Sequence, residues 1–280
     1  MPMKVKVWGC RGSIPVPDSR MITYGGNTTC LEVLLDRRVL IIDSGTGIRR
    51  LGDDLLRRRI HSYDLFITHS HWDHIQGFPF FKPIYDARTR IRISGCTNSY
   101  RQLRTIFTNQ MSYEYFPISF ADLKSRIEFT DSCDERFTLD GYEVHTLQVN
   151  HPIYTLGIRI QRNDSSFVFL TDNELLGAKP GTPWESFVEF CAGATYLIHD
   201  AQFFDAEYPK RRGWGHSTFE QALRLARDAR VVNLGFFHHD PNREDGHLDR
   251  IKQRFQALGA KGPHPVNVFV VRELEEYAIT

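Results

Sequence analysis

The stretch that decides the fold is Thr68-His69-Ser70-His71-Trp72-Asp73-His74. Four side chains of metal-ligating type fall within the six positions 69–74, directly after the apolar run Leu65-Phe66-Ile67. The run reads as a short buried strand. Strand ends present ligand groups well, because the backbone is anchored and the following loop is free to curl. His69 and His71 are two apart, so in an extended segment they face the same way. Asp73 and His74 follow where the chain turns toward a helix, and can point at a second centre. Burying four such groups without partners would be costly, so the cluster reads as a site for metal. Imidazole and carboxylate together suit Zn²⁺, Mn²⁺ or Fe, and no cysteine stands nearby to suggest a sulfur-rich site.

Outward from this loop the first half reads mainly as strands joined by glycine turns. Val5 to Trp8 alternates and breaks at Gly9-Cys10-Arg11-Gly12-Ser13; Thr28 to Leu35 and Arg38 to Asp43 read as a hairpin. Gly45-Thr46-Gly47 leads into a helix with Ile48, Leu51, Leu55 and Leu56 on one side. Arg90 to Ser94 predicts a strand and Asn98 to Asn109 a helix; Tyr142 to Val149, Tyr154 to Gln161 and Ser166 to Thr171 predict three more strands. Beyond them, Ser217 to Ala229 predicts a helix in which Ser217 and Glu220 fit a capping box. A strand is expected over Val231 to Phe237, a helix over Leu248 to Leu258 stopped by Gly259, and a last strand over Asn267 to Arg272. Two runs, each strand first and helix after, predict an α/β chain built as a four-layer αββα sandwich. No linker or low-complexity stretch divides residues 1–280, so a single domain is expected.

His69-Ser70-His71-Trp72-Asp73-His74 resembles the HxHxDH signature of the metallo-β-lactamase superfamily. The superfamily's other elements are met in order. Asp43-Ser44-Gly45-Thr46-Gly47 resembles its Asp-x-Gly-x-Gly element, whose carboxylate supports the ligand loop. His151, Asp172 and His238 each follow a predicted strand, at the places of the third histidine, the bridging aspartate and the last histidine. The resemblance implies two divalent ions, Zn²⁺ with Mn²⁺ as the alternative. The first would be held by His69, His71 and His151, the second by Asp73, His74 and His238, with Asp172 between them. His238 is preferred to His239 because it follows its strand directly. His61, His145 and His247 are left to surface or packing.

Within the superfamily, Trp214-Gly215-His216-Ser217-Thr218 resembles the Gly-His-Ser-Thr motif of the ribonuclease Z-like branch. Leu197-Ile198-His199-Asp200-Ala201-Gln202-Phe203 resembles that branch's His-Glu-Ala-Thr-Phe element, with Asp200 in place of glutamate. The resemblance implies that His216 contacts the scissile phosphate and protonates the leaving oxygen, and that Asp200 orients it. Two ions lower the pKa of a bridging water, and Asp73 would orient or deprotonate that water as well as bind metal. Gly9-Cys10-Arg11-Gly12-Ser13 takes the place of the branch's glycine-rich first loop, so its N–H groups and Arg11 are expected to help hold a phosphate. Tyr24-Gly25-Gly26-Asn27-Thr28-Thr29 is expected to add polar groups at the cleft mouth.

Only two predicted strands and a turn fill His151 to Asp172, leaving no room for the projecting arm with which ribonuclease Z grips transfer RNA. The net charge of +1 also fits poorly with a large RNA. A small-molecule partner, a cyclic phosphodiester or cyclic nucleotide, is therefore expected. The chain resembles the phosphoribosyl cyclic phosphodiesterase group, although it lacks that group's cysteine-rich structural zinc site. An RNA endonuclease of the ribonuclease Z type is the second reading, and a thioesterase or lactonase of the same fold the third. Phe78-Pro79-Phe80-Phe81, Phe107, Tyr113, Tyr115 and Phe116 stack on a base, pack in the core, or meet a second copy in a homodimer; the sequence leaves these open. Arg57-Arg58-Arg59 reads as a solvated helix end, and Lys210-Arg211-Arg212 stays unassigned. Five scattered cysteines without Cys-x-x-Cys argue against a disulfide framework. No signal core precedes the first strand and no apolar run is long enough to span a bilayer, so a cytoplasmic setting without membrane partners is expected.

Overall fold

The computed structural model describes residues 3–96, 100–131, 136–177 and 181–280. Its strands are β1 Met3–Gly9, β2 Cys30–Leu35, β3 Arg38–Ile42, β4 Ser62–Ile67, β5 Arg90–Gly95, β6 Arg126–Asp131, β7 Arg136–Leu139, β8 Tyr142–Gln148, β9 Leu156–Arg162, β10 Ser165–Leu170, β11 Tyr196–Asp200, β12 Asn233–Phe237, β13 Asn267–Val270 and β14 Glu276–Ile279. The helices are α1 Ile48–Arg57, α2 Trp72–Ile75, α3 Tyr100–Gln110, α4 Trp184–Cys191, α5 Phe219–Asp228 and α6 Asp245–Gly259. The strands form two seven-stranded sheets, in the orders β14-β1-β2-β3-β4-β5-β6 and β13-β12-β11-β10-β9-β8-β7. Each is parallel at one end and antiparallel at the other: β3 to β6 run parallel in the first, and β10 to β13 in the second.

Alternation along the strands sorts side chains into three cores. Leu40 and Ile42 of β3 and Phe66 of β4 meet Ile158 and Ile160 of β9, Phe167 and Phe169 of β10 and Phe237 of β12 between the sheets. The opposite faces of the same strands go to the helices. Val39, Ile41, Leu65 and Ile67 pack against Ile48, Leu51 and Leu55 of α1 and Phe107 of α3. Val168, Leu170 and Leu234 pack against Phe187 of α4, Phe219 of α5 and Phe255 of α6. The chain is thus the four-layer αββα sandwich expected from its pattern.

Several local expectations are corrected. Helix α5 is capped by Thr218, not Ser217, and its capping box closes on Gln221 rather than Glu220. The Ser217 hydroxyl instead donates to the Asn173 carbonyl (2.6 Å) and accepts from the Leu175 N–H (3.1 Å). Of the aromatics whose role was left open, Phe78, Phe81 and Phe107 pack in the core beneath the first sheet. Arg57 and Arg58 are paired, with Asp54 and with Asp54 and Glu32 respectively, rather than merely solvated. Cys96 is disulfide-bonded, while Cys10, Cys30 and Cys191 are free and buried; the sequence argument against disulfides missed that bond. Residues 98 and 99 of the predicted Asn98–Asn109 helix lie outside the described residues.

Phe169 of β10 and Phe237 of β12 meet edge to face at 5.2 Å on the inner face of the second sheet, each within three residues of Asp172 or His238. Phe169→Ala is expected to cost about 3–5 kcal/mol in urea denaturation; a loss below about 1 kcal/mol would show that Phe169 is not a packed part of the core between the sheets.

Candidate metal centre

Seven strand or loop residues named from sequence converge at one end of the sandwich. The loop after β4 brings His69, His71, Asp73 and His74; the segments after β8, β10 and β12 bring His151, Asp172 and His238. Asp43, Asp172 and His238 each follow directly, or within two residues, on a strand of the parallel regions and have left-handed backbones, with φ of 62°, 49° and 58°. Such a conformation is uncommon outside glycine. It breaks the strand sharply and aims the side chain across the sheet ends rather than along the strand.

The donor atoms fall into two groups that share Asp172. Its Oδ2 lies 3.6 Å from His69 Nε2 and 3.8 Å from His151 Nε2, and His151 Nε2 is 3.1 Å from His71 Nδ1. Its Oδ1 lies 3.1 Å from His74 Nε2 and 3.3 Å from His238 Nε2. Asp73 Oδ2 is 3.4 Å from His74 Nε2 and 3.0 Å from His238 Nε2. Ligands about 2.0–2.1 Å from a tetrahedral ion stand roughly 3.4 Å apart, and both groups bracket that spacing. His69 Nε2 and His74 Nε2 are buried without a hydrogen-bond partner. Orphaned imidazole nitrogens of this kind are costly unless something binds them, so the donor set fits two divalent ions.

The outward side of four of the five rings is fixed. Asp43 Oδ2 accepts from His74 Nδ1 and from the Thr68 hydroxyl, both at 2.8 Å, and Asp43 Oδ1 accepts from the Thr68 N–H. The Thr68 oxygen in turn lies 3.2 Å from His69 Nδ1. One buried carboxylate thus sets the tautomer of two rings and turns both Nε2 lone pairs inward. His151 Nδ1 donates to the Gly215 carbonyl at 3.1 Å, and the Gln202 amide meets His238 Nδ1 at 2.7 Å. Burial lowers the pKa of His69 and His71, and pulls His151 down to about 4, so these imidazoles are uncharged at neutral pH. Burial opposes charge on Asp172 and Asp73 as well, but the surrounding histidines outweigh it and hold both carboxyls ionised.

Beside the cluster, His216 Nδ1 lies 2.9 Å from Asp200 Oδ2. The shorter aspartate reaches the ring directly, because β11 carries Asp200 in register with Phe237, the residue before His238. The His216 ring stacks on His238 at 5.1 Å, and one of its nitrogens lies within 4.8 Å of donor atoms of Asp172 and His238. Burial disfavours its charged form, but Asp200, then Asp172 and Asp73, more than offset this and raise its pKa. His216, His238, His71, Asp73 and Asp172 line a cavity of about 470 Å³ with Ser13, Ser70 and Trp72.

Two loop expectations fail. Arg11 is fully buried, and its guanidinium donates to the carbonyls of Gly25, Asp240 and Arg243. Four of its five N–H donors are spent on these carbonyls, so it ties loops together, and it does not line the cavity beside the cluster. In the same loop, Gly12 is required because a Cβ would lie 2.7 Å from the His238 ring, and the Ser13 N–H donates to Asp73 Oδ2 at 2.8 Å. The Tyr24–Thr29 segment is likewise structural: Tyr24 binds Asp249, Asn27 binds Glu273 and Thr28 binds Thr46. His239 turns away and bonds the Val271 carbonyl at 2.7 Å, while His238 faces the cluster. One residue went unnoticed. Glu174 accepts from the Gly213 and Gly215 N–H groups and the Tyr208 hydroxyl, anchoring the turn that carries His216. Gly215 sits there at φ +85°, against His151. The only signal in sequence was an acidic residue two positions past Asp172.

A family model for the β-lactamase superfamily domain matches residues 37–239. The chain belongs to the metallo-β-lactamase superfamily. Among relatives, this superfamily member is 23% identical to a protein named ribonuclease Z from Pyrococcus furiosus, across 83% of this chain and 85% of that protein. Among solved structures it is similar to the metallo-β-lactamase fold protein YhfI from Bacillus subtilis (TM-score 0.72, 18% identity, 99% of this chain and 98% of that one). It is also similar to a structure titled a new diphosphatase from the PhnP family (TM-score 0.70, 17% identity, the same coverage). Metallo-β-lactamase superfamily members of this kind are metal-dependent hydrolases, and the His/Asp cluster is the place for divalent ions.

Asp43→Asn keeps the volume and tolerates the left-handed backbone, but has one acceptor oxygen: with it toward His74 and the Thr68 hydroxyl, its NH2 would face the Thr68 N–H. It is expected to weaken metal binding about 10–100-fold in chelator competition; an unchanged affinity would show that the ligand loop holds itself.

Proposed function

We propose that the chain is a dinuclear-metal phosphodiesterase acting on a small cyclic phosphodiester or cyclic nucleotide, with Zn²⁺ as the metal and Mn²⁺ as an alternative. The observation that carries this reading is the His216–Asp200 pair, 2.9 Å apart and set against His238 at the cavity wall. Hydrolysis of a thioester by the same cluster gives no reason for a second, carboxylate-backed histidine, because a thiolate leaves without a proton. Departure of an alkoxide from phosphorus does, because the leaving oxygen needs a proton.

His69, His71, His151 and Asp172 Oδ2 would hold one ion; Asp73, His74, His238 and Asp172 Oδ1 would hold the other. When bound, two such ions supply Lewis acidity and lower the pKa of a water between them. Asp73 Oδ2 is steadied by the Ser13 N–H, leaving Oδ1 to orient the attacking water and take its proton. His216 keeps Nδ1 on Asp200 and delivers the Nε2 proton to the oxygen that leaves. As the phosphoryl oxygens gain charge, the proton-donating His216, backed by Asp200, stands beside them.

The argument for a small substrate is the chain between His151 and Asp172. It is filled by β9, β10 and their turn, with Ser165 paired to Arg162, so no arm projects there. The second reading, an RNA endonuclease, draws on relatives named ribonuclease Z.

His216→Ala is expected to retain two metal equivalents and to lose about 10²–10⁴-fold in kcat on cyclic nucleotides. The loss should be far smaller on bis(p-nitrophenyl) phosphate, because p-nitrophenolate departs without a proton. Equal losses on both would remove His216 from the acid role. Turnover of thioesters or lactones alone would overturn the phosphodiester assignment, and efficient cleavage of precursor RNA with little activity on cyclic nucleotides would favour the second reading.

A further inference from the structure

Trp72 stands between His71 and Asp73 in the chain, lines the same cavity as Asp172, His216 and His238, and is 81% exposed. Its three fellow tryptophans are all engaged. Trp8 is buried, donates to Glu32 and lies under Lys6. Trp184 donates to Asp228 and is covered by Arg224. Trp214 is covered by the Arg211 guanidinium at 4.6 Å. Trp72 has no aromatic, cationic or hydrogen-bonding side-chain partner among the described residues. It is also not free to fold away. Its carbonyl accepts from the Gln76 N–H at 2.7 Å in the single turn of α2, and both neighbouring residues are committed to the cluster.

An aromatic face on the wall of a polar cavity offers a ligand apolar contact, and an indole face suits a flat π-system best. We infer that Trp72 is a stacking platform for a nucleobase, so that the substrate is a nucleotide ester rather than a bare sugar phosphate. This rests on the phosphodiesterase reading above, because it is the phosphate at the cluster that makes a flat heterocycle on the same molecule a nucleotide. The chain supplies both halves of that recognition within three consecutive residues: His71 and Asp73 toward the phosphate, Trp72 toward the base. Every base has a π-face, so the platform selects for a base and not for one base over another.

The test uses the full-length, Zn²⁺-loaded protein and two ligands that differ only in the base, AMP and ribose 5-phosphate, with affinities from calorimetry. Wild type is expected to bind AMP about 10–100-fold more tightly. In Trp72→Ala the ratio of the two affinities should fall toward one, while Trp72→Phe should keep most of it. Equal affinities in wild type, or an unchanged ratio in Trp72→Ala, would overturn the platform. Turnover is measured alongside on thymidine 5′-(p-nitrophenyl phosphate) and methyl p-nitrophenyl phosphate. Hydrolysis of neither, with the AMP preference intact, would sink the phosphodiesterase reading and leave the platform standing.

Discussion

The architecture turns on one electrostatic constraint. Two carboxylates, Asp73 and Asp172, and a set of histidine nitrogens are buried together at the mouth of the sandwich, with too few hydrogen bonds among themselves to satisfy them all. Buried polar groups are tolerated only when paired. Here each ring has one nitrogen satisfied from outside the cluster or by its neighbours, and the remaining lone pairs converge on two points. Everything around the cluster serves to hold that arrangement: Asp43 beneath two rings, Gln202 behind a third, the Gly215 carbonyl behind a fourth.

The backbone contributes by breaking strands abruptly. Asp43, Asp172 and His238 adopt left-handed conformations at the ends of parallel strands, each at a cost of order 1–3 kcal/mol. Interlocking side chains over-determine these conformations. Gly12 and Gly215 are needed because ligand histidines occupy the space a Cβ would take. Strain and close approach therefore fall on the same few loops that carry the site residues.

Much of this was legible in the sequence, for a physical reason. Ligand positions demand particular residue types at strand ends, and the short apolar runs Leu65-Phe66-Ile67 and Val168-Phe169-Leu170 reveal the strands themselves. What sequence could not convey is what a side chain finds when it arrives. Arg11 reads as a phosphate donor from its glycine-rich setting, yet it is buried among carbonyls. Ser217 reads as a cap, yet one residue along Thr218 takes the role and frees the serine for the Asn173 carbonyl. Glu174 looks like an ordinary acidic turn residue until Gly213 and Gly215 are folded onto it. Strands β6, β7 and β14 were missed because they are short or lie at sheet edges, where burial leaves only a weak pattern.

The origin of the donors has a mechanical corollary. Four of them leave the first sheet through the loop after β4, and three leave the second sheet after β8, β10 and β12. Cations seated among them would act as rivets through the seam between the two halves of the molecule. Occupancy and the docking of the halves are then one equilibrium seen from two sides, so a chelator becomes a tool for prying the sheets apart.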